Sequence, residues 1–462
     1  MHLHGALLAL AIATPLLAQE PEQRRLEREI FRELIEVNTS DSAGNTPILA
    51  AKVSDRLKAA GFDPADVQLL GHAPKYQNVV VRFRGRSTGK KPILLMAHLD
   101  VVDARREDWS FDPYQFREQD GYYYGRGTSD NKAGASVLIA NFVRLKKEGY
   151  QPDRDLIMVL TSDEETAGNA IKWLVQQHRD LIDAEYALNT DAGGGAYQNG
   201  KAVAFSVQAS EKMFLTYVFE VRNKGGHSSL PVPDNAIYRL SRGLDRLGKF
   251  SFPVQLNEVS RGFFLKSSEA EKGQTSLDMR ALALRRDPAA ARRLSAQSPY
   301  FNSVMRTTCI ATRLFGGHAD NALPQLARAI VNCRLVPDDP PDSVRATLQR
   351  VVADSAISIR QQESPTPSPP SRLRPDVLAP VEALVRATWP GIPVIPEMST
   401  GATDGLHVRN AGIPVYGVGA IFEEINDTRA HGRDERVGVK EFHAAATFWY
   451  QMLKALTSPP KA

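Results

Sequence analysis

At 462 residues, with 42% hydrophobic and 24% charged side chains, the chain is long enough for two domains around at least one large core, and wholesale disorder is excluded. Its net charge of +4 comes from scattered arginines, which excludes a dedicated nucleic-acid surface. The leader MHLHGALLALAIATPLLAQE carries an apolar run from Ala6 to Ala18 that gives way abruptly to charge. A membrane anchor would need about 20 apolar residues. The run reads instead as a signal peptide cleaved after Ala18, predicting an exported protein, periplasmic or extracellular, with no membrane span after cleavage.

Two helices come next. QRRLEREIFRELIEV places Leu26, Ile30, Leu34 and Ile35 on one helical face. In NTPILAAKVSDRLKAAG, Thr46 is the expected cap, Pro47 takes the first turn and Gly61 stops the helix. Strand-like runs (QNVVVRF, ILLMAHLD, LIMVLTSDEE, AEYALNTD) then alternate with helical patterns such as NKAGASVLIANFVRLKKEG and AIKWLVQQH. This rhythm predicts an α/β domain with a mixed, largely parallel sheet flanked by helices.

Near residue 210 the rhythm changes. MFLTYVFEVRN alternates like a half-exposed antiparallel strand, and DNAIYRLSRGLDRLGKF follows as a helix. RTTCIATRLF and ARAIVNCRLV read as two more strands. Residues 250–303 show no assignable architecture, and QQESPTPSPPSRLRPD reads as a proline-rich linker. Strand and helix signals then resume in PVYGVG and VKEFHAAATFWYQMLKAL. The expected layout is a signal peptide (1–18), a catalytic domain in two parts (19–209 and 372–462) and an inserted α+β domain (210–371). The only cysteines, Cys309 and Cys333, lie about equally far from the turn between their strands. A cross-strand disulfide and two buried thiols are both open readings.

Five segments carry polar residues after strand-like runs or in loops: MAHLDVVDA, YGRGTSDNKAG, TSDEETAG, LNTDAGGG and TRAHGRDERV. In open α/β sheets such segments converge outside the carboxyl ends of the strands. Crowded carboxylates raise one another's pKa, and a pair of divalent cations removes that repulsion. Mixed imidazole and carboxylate donors suit zinc, with cobalt or manganese as alternatives. Two such metals can share a carboxylate and a water, and a further, non-ligating carboxylate then carries the proton. His72, His178, His318, His407 and His443 are left as surface, core or loop residues, and Asp163 as a solvated turn.

The five motifs in order resemble the M20 family of metallopeptidases, which includes glutamate carboxypeptidase, aminoacylase and carnosinase-type enzymes. HLDVVDARREDWSFDPYQFREQDGYYYGRGTSDNKAG is similar to the carboxypeptidase S branch. The resemblance implies that His98 and Asp191 hold one zinc, Glu165 and His431 the other, and Asp130 both. It makes Glu164 the general base and Asp100 the residue that orients His98. In NKGGHSSLP, His227 matches the family's lid histidine, which steadies the oxyanion and in many members comes from the partner of a homodimer. Asn321 and Arg334 fall on substrate-binding positions, Arg334 suited to a free carboxylate, and STGATDG places Gly401 near that carboxylate. The sequence departs from the family at Asn332, where an aspartate usually precedes the arginine.

The implied activity is carboxypeptidase or dipeptidase hydrolysis of an amide next to a free carboxylate. An N-acyl amino-acid hydrolase on the same scaffold is the alternative, and a catalytically inactive binding protein is a third reading.

Overall fold

A computed structural model describes residues 21–86 and 89–458, so the expected signal peptide lies outside the described residues. No described helix is long and apolar enough to cross a membrane. The centre is a ten-stranded mixed sheet. Its order runs Val67–Ala73, Tyr76–Phe83, Leu156–Thr161, Ile93–His98, Tyr186–Asn189, Val415–Gly417, Lys201–Glu211, Gly194–Gln198, Phe422–Glu424, with Val394–Ser399 also paired to Lys201–Glu211. The four strands from Leu156–Thr161 to Val415–Gly417 are mutually parallel. His98 therefore pairs with Thr161, and Gly417 with Asn189, at one carboxyl edge.

The central strands read as unbroken apolar runs because both faces are covered. Leu95 and Ala97 enter one core with Leu138 and Phe142 of helix Lys132–Lys147. Leu94 and Met96 point the other way, against Ile171, Leu174 and Val408. Each of the Leu, Ile, Val, Phe and Met side chains contributes about 1.5–3 kcal/mol when fully buried. The first helix, Glu22–Ile35, buries Ile30, Leu34 and Ile35 as its periodicity predicts. The second begins at Thr46, which is its first helical residue rather than a side-chain cap. The Thr46 hydroxyl instead donates to the carbonyl of Lys75 at 2.6 Å.

The inserted region forms a four-stranded antiparallel sheet in the order Thr308–Gly316, Leu326–Leu335, Met213–Arg222, Ile357–Gln361. Helices Ala236–Lys249 and Pro341–Val352 cover one face through Leu240, Leu247, Val344 and Leu348. Met213–Arg222 is more buried than its alternation suggests: Thr216 and Val218 are buried as well as Leu215, Tyr217 and Phe219. Cys309 and Cys333 stand directly opposite in register and form a disulfide.

Residues 258–305 fold as four short helices, Glu258–Ala270, Gly273–Arg285, Pro288–Gln297 and Pro299–Met305. Asn257, Asp287 and Ser298 cap three of them, with Pro288 and Pro299 in first turns. Phe264, Met279, Leu294 and Met305 join the core of the large sheet. By packing, these helices go with the large sheet although they lie inside the inserted span. The proline-rich stretch is irregular but anchored at Ser371, whose hydroxyl donates to the carbonyl of Val415 and accepts from its amide, both at 2.8 Å.

Candidate metal centre

The carboxyl edge gathers all five motif segments. Nε2 of His98 lies 2.9 Å from Oδ1 of Asp130 and 3.5 Å from Oδ1 of Asp191. Nε2 of His431 lies 3.1 Å from Oδ2 of Asp130 and 3.0 Å from Oε2 of Glu165. His98, Asp130 and Asp191 form one group whose ligand atoms lie within 4.8 Å of one another, and Asp130, Glu165 and His431 form a second. Asp130 belongs to both, one oxygen toward each imidazole. Neither group takes in Glu164.

Local hydrogen bonds fix these positions. Nδ1 of His98 donates to the carbonyl oxygen of Asp100 at 3.0 Å, so a neutral ring keeps its proton there and turns its Nε2 lone pair inward. The Asp100 carboxylate accepts the amides of Glu164 and Glu165 at 3.2 and 2.9 Å. Asn131 donates to Asp191 at 2.9 Å. Asp163 is not a solvated turn residue. It is buried, its carboxylate accepts from the amide of Ala170 at 2.8 Å, and its carbonyl accepts from that of Gly168 at 2.9 Å. These bonds shape the loop that presents Glu164 and Glu165.

The electrostatics follow from crowding and burial. Burial opposes the Asp130 charge, but hydrogen bonds from His431 and His98 outweigh it and hold the carboxyl well below its usual range. Asp130 and Glu165 in turn raise His431 to about 10. Burial, with the Asp191 charge beside it, pushes Glu164 well above an ordinary carboxylate. Burial raises Asp191 too. A site of three acids and two imidazoles that shift one another this way gains from divalent cations, which compensate the acids and displace protons from the rings. Donor set, shared carboxylate and ligand-atom spacing all fit two metal ions.

The remaining expected residues are placed elsewhere. His227 is exposed on Gly226–His227, where its Nδ1 accepts from the hydroxyl and amide of Ser229 at 2.7 and 3.2 Å. Among the described residues it makes no hydrogen bond or ion pair with the cluster. The carbonyl of Asn321 accepts from the amide of Ser228 at 3.0 Å, so these two residues share one loop corner. Arg334 is partly buried over the ring of Phe214, 4.8 Å from its centroid. No carboxylate lies within ion-pair reach of it among the described residues, consistent with Asn332 in place of an acid. The Gly401 amide donates to the hydroxyl of Ser399 at 3.1 Å.

Two residues escaped the sequence reading. Asp404 is buried, accepts from the Thr161 hydroxyl at 2.5 Å, and is pushed by burial to about 8. Glu435 is fully buried against the loop of Asp130. Both sit in segments already singled out, STGATDG and TRAHGRDERV, but only burial sets them apart from surface acids.

A model described as peptidase family M20/M25/M40 matches residues 94–455. The N-fatty-acyl-amino acid synthase/hydrolase PM20D1 of Mus musculus is 26% identical over 450 residues, covering 94% of this chain and 88% of that protein. Carboxypeptidase S-like 2 of Dictyostelium discoideum is 26% identical over 386 residues, covering 82% of this chain and 74% of that one. The fold matches the M20 family metallo-carboxypeptidase Sso-CP2 from Sulfolobus solfataricus with a TM-score of 0.69 at 18% identity, covering 93% of this chain and 99% of that chain. The family match spans most of the chain and takes in all five segments whose side chains meet at the sheet edge, and on that ground this protein belongs to peptidase family M20/M25/M40.

Proposed function

We propose that the protein is an exported hydrolase that cleaves an amide bond next to a free carboxylate, as a carboxypeptidase or dipeptidase. The family is one of metal-dependent hydrolases, and the observation that carries the reading is Asp130, shared by two groups of metal donors while Glu164 stands outside both. In this reading His98 and Asp191 hold one metal, Glu165 and His431 the other, and Asp130 both. Zinc is the expected metal, with cobalt or manganese as alternatives. Two bound divalent ions supply Lewis acidity at the scissile carbonyl and lower the pKa of the attacking water.

The chain's own groups do the rest. Glu164, free of the ligand set and partly buried, takes a proton from the water and returns it to the leaving amine. Arg334 receives the substrate carboxylate, aided by Asn321 and Gly401. His227 steadies the oxyanion, brought in by closure of the inserted unit or by a partner subunit in a homodimer.

A second reading, hydrolysis of N-acyl amino acids, is favoured by the likeness to PM20D1 over 94% of this chain. A screen of dipeptides and N-acyl amino acids with added zinc decides between them. Turnover of peptides alone supports the first, turnover of acylated amino acids alone the second, and turnover of neither removes both. Export rests on the apolar segment before Gln19 and is supported by the Cys309–Cys333 disulfide, which suits an oxidising compartment. A secreted protein whose N-terminus is not Gln19 would contradict the proposed cleavage.

A further inference from the structure

Glu435 stands four residues after His431, and its carboxylate collects donors from the opposite loop. Oε1 accepts the amide of Ser129 at 2.7 Å, the amide of Asp130 at 3.1 Å and the Ser129 hydroxyl at 3.1 Å. Oε2 accepts from Arg126 at 2.6 Å and from the amide of Gly127 at 3.1 Å. Arg126 uses its other terminal nitrogen to donate to the carbonyl of His431 at 3.3 Å, and its guanidinium lies over the Trp109 ring at 5.0 Å. One buried ion pair therefore joins the loop of Asp130 to the loop of His431.

That connection answers a strain. His431 has φ +62, the left-handed region, where a non-glycine residue is strained and persists only when its surroundings over-determine it. The Arg126 bond to its carbonyl is one such determinant, and the amide of Gly432 bonding the carbonyl of Arg429 at 2.8 Å is another. A buried ion pair is weak support for global stability, because desolvation offsets most of its attraction. It is strong support for a fixed geometry, since each oxygen is directional and already engaged.

We propose that Glu435 is a positioning residue that sets Asp130 against His431 and so fixes the spacing of the two metal-donor groups. The proposal rests on the reading of Asp130 and His431 as ligands, but not on any substrate. The test is Glu435→Gln, whose amide offers one acceptor where five donors converge and turns an NH2 toward one set of them.

Co2+ alone is titrated into metal-free protein, following its visible absorption, and hydrogen exchange of residues 125–131 is followed in the same metal-free protein. The expected result is at least about tenfold weaker Co2+ binding with a changed absorption band. Faster exchange in 125–131 should accompany it, with little change in the core helices. Arg126→Lys keeps a charge beside Glu435 but lacks the planar fork whose two nitrogens reach Glu435 and His431 separately, so it should show the same changes more weakly and serves if the glutamine variant does not fold. Wild-type Co2+ affinity, band and exchange in either folded variant overturn the proposal, as does a wild-type protein that binds no Co2+. A wild-type protein that binds Co2+ normally but hydrolyses neither substrate class overturns the reaction above and leaves this assignment standing.

Discussion

His98 and Asp100 meet through the backbone as much as through the side chain: Nδ1 of His98 is 3.0 Å from the Asp100 carbonyl oxygen and 3.6 Å from its carboxylate. The carboxylate is at the same time the acceptor for the amides of Glu164 and Glu165. Asp100 thus couples His98, a proposed metal ligand, to the loop carrying both glutamates. Asp100→Asn keeps the carbonyl but offers one acceptor oxygen to two amides. It should lower activity or metal affinity by about 10- to 100-fold, the usual cost of losing an outer-shell partner, read from kcat and a metal titration. Unchanged values would mean the backbone carbonyl alone orients His98.

Glu164 and Glu165 are adjacent yet differ in contact. Glu165 reaches His431 at 3.0 Å, whereas Glu164 lies in neither donor group. Glu164→Ala should therefore keep its metal content and lose about 10²- to 10⁴-fold in kcat, the size of a lost general base. Elemental analysis beside steady-state kinetics checks both halves.

Removing ligands should separate the two groups. Glu165→Ala and His431→Ala should each leave about one metal equivalent where the wild type holds about two, while Asp130→Ala weakens both sites, because its two oxygens face different imidazoles. Stoichiometry by equilibrium dialysis distinguishes these outcomes. Equal loss from all three variants would contradict a shared Asp130.

Asp404 belongs to neither donor group, although it feels the charges of His98 and Asp100, and it gives a pH signature of its own. Its folded pKa, about 8, lies above the ordinary carboxyl value of 3.8 because burial disfavours the charge. Between these values the folded chain holds a proton that the unfolded chain has released. Its contribution is full below the unfolded pKa and is lost as pH rises toward about 8, with a limiting slope of about 1.4 kcal/mol per pH unit. Asp404→Asn removes this titration, and asparagine can still accept from Thr161. In urea unfolding of the metal-free protein, the wild type should lose more stability than the variant between pH 5 and 8. Parallel curves would show that Asp404 does not titrate in that window.

Arg334 is desolvated, its pKa is lowered by burial, and it has no acid partner within ion-pair reach among the described residues. An incoming carboxylate would restore a charge-assisted bond of about 1.5–3 kcal/mol. Arg334→Ala should raise KM by roughly 10- to 100-fold with a smaller change in kcat, and Arg334→Lys should recover only part of it, lacking the planar fork. A kcat effect with normal KM would move Arg334 from substrate binding to the chemical step.

Much of the site was legible because its residues are attached to strong local signals. His98 ends the wholly buried run Ile93–His98, and Ser162 to Glu165 follow the equally buried run Leu156–Thr161. Residues 250–303 were not legible as a packing unit. Their caps, Asn257, Asp287 and Ser298, were present in the letters, but their helices are short and the surface they cover comes from Val394–Ser399, about a hundred residues away. Asp163, Asp404 and Glu435 were missed or misread for a related reason. A carboxylate's partners and burial are non-local, so the letters alone do not separate a solvated acid from one that holds a loop.

By itself the sequence determined which donor types exist and where they sit relative to apolar runs, and it placed the two cysteines equally far from their turn. Those features depend on neighbours a few residues apart. Only the tertiary structure decided that Asp130 faces both imidazoles, that Asp100 accepts two amides, and that Glu435 binds the loop opposite its own. Those outcomes depend on strand order and on distances of about 3 Å between segments up to some 300 residues apart, where hydrogen-bond geometry and desolvation assign each acid its role.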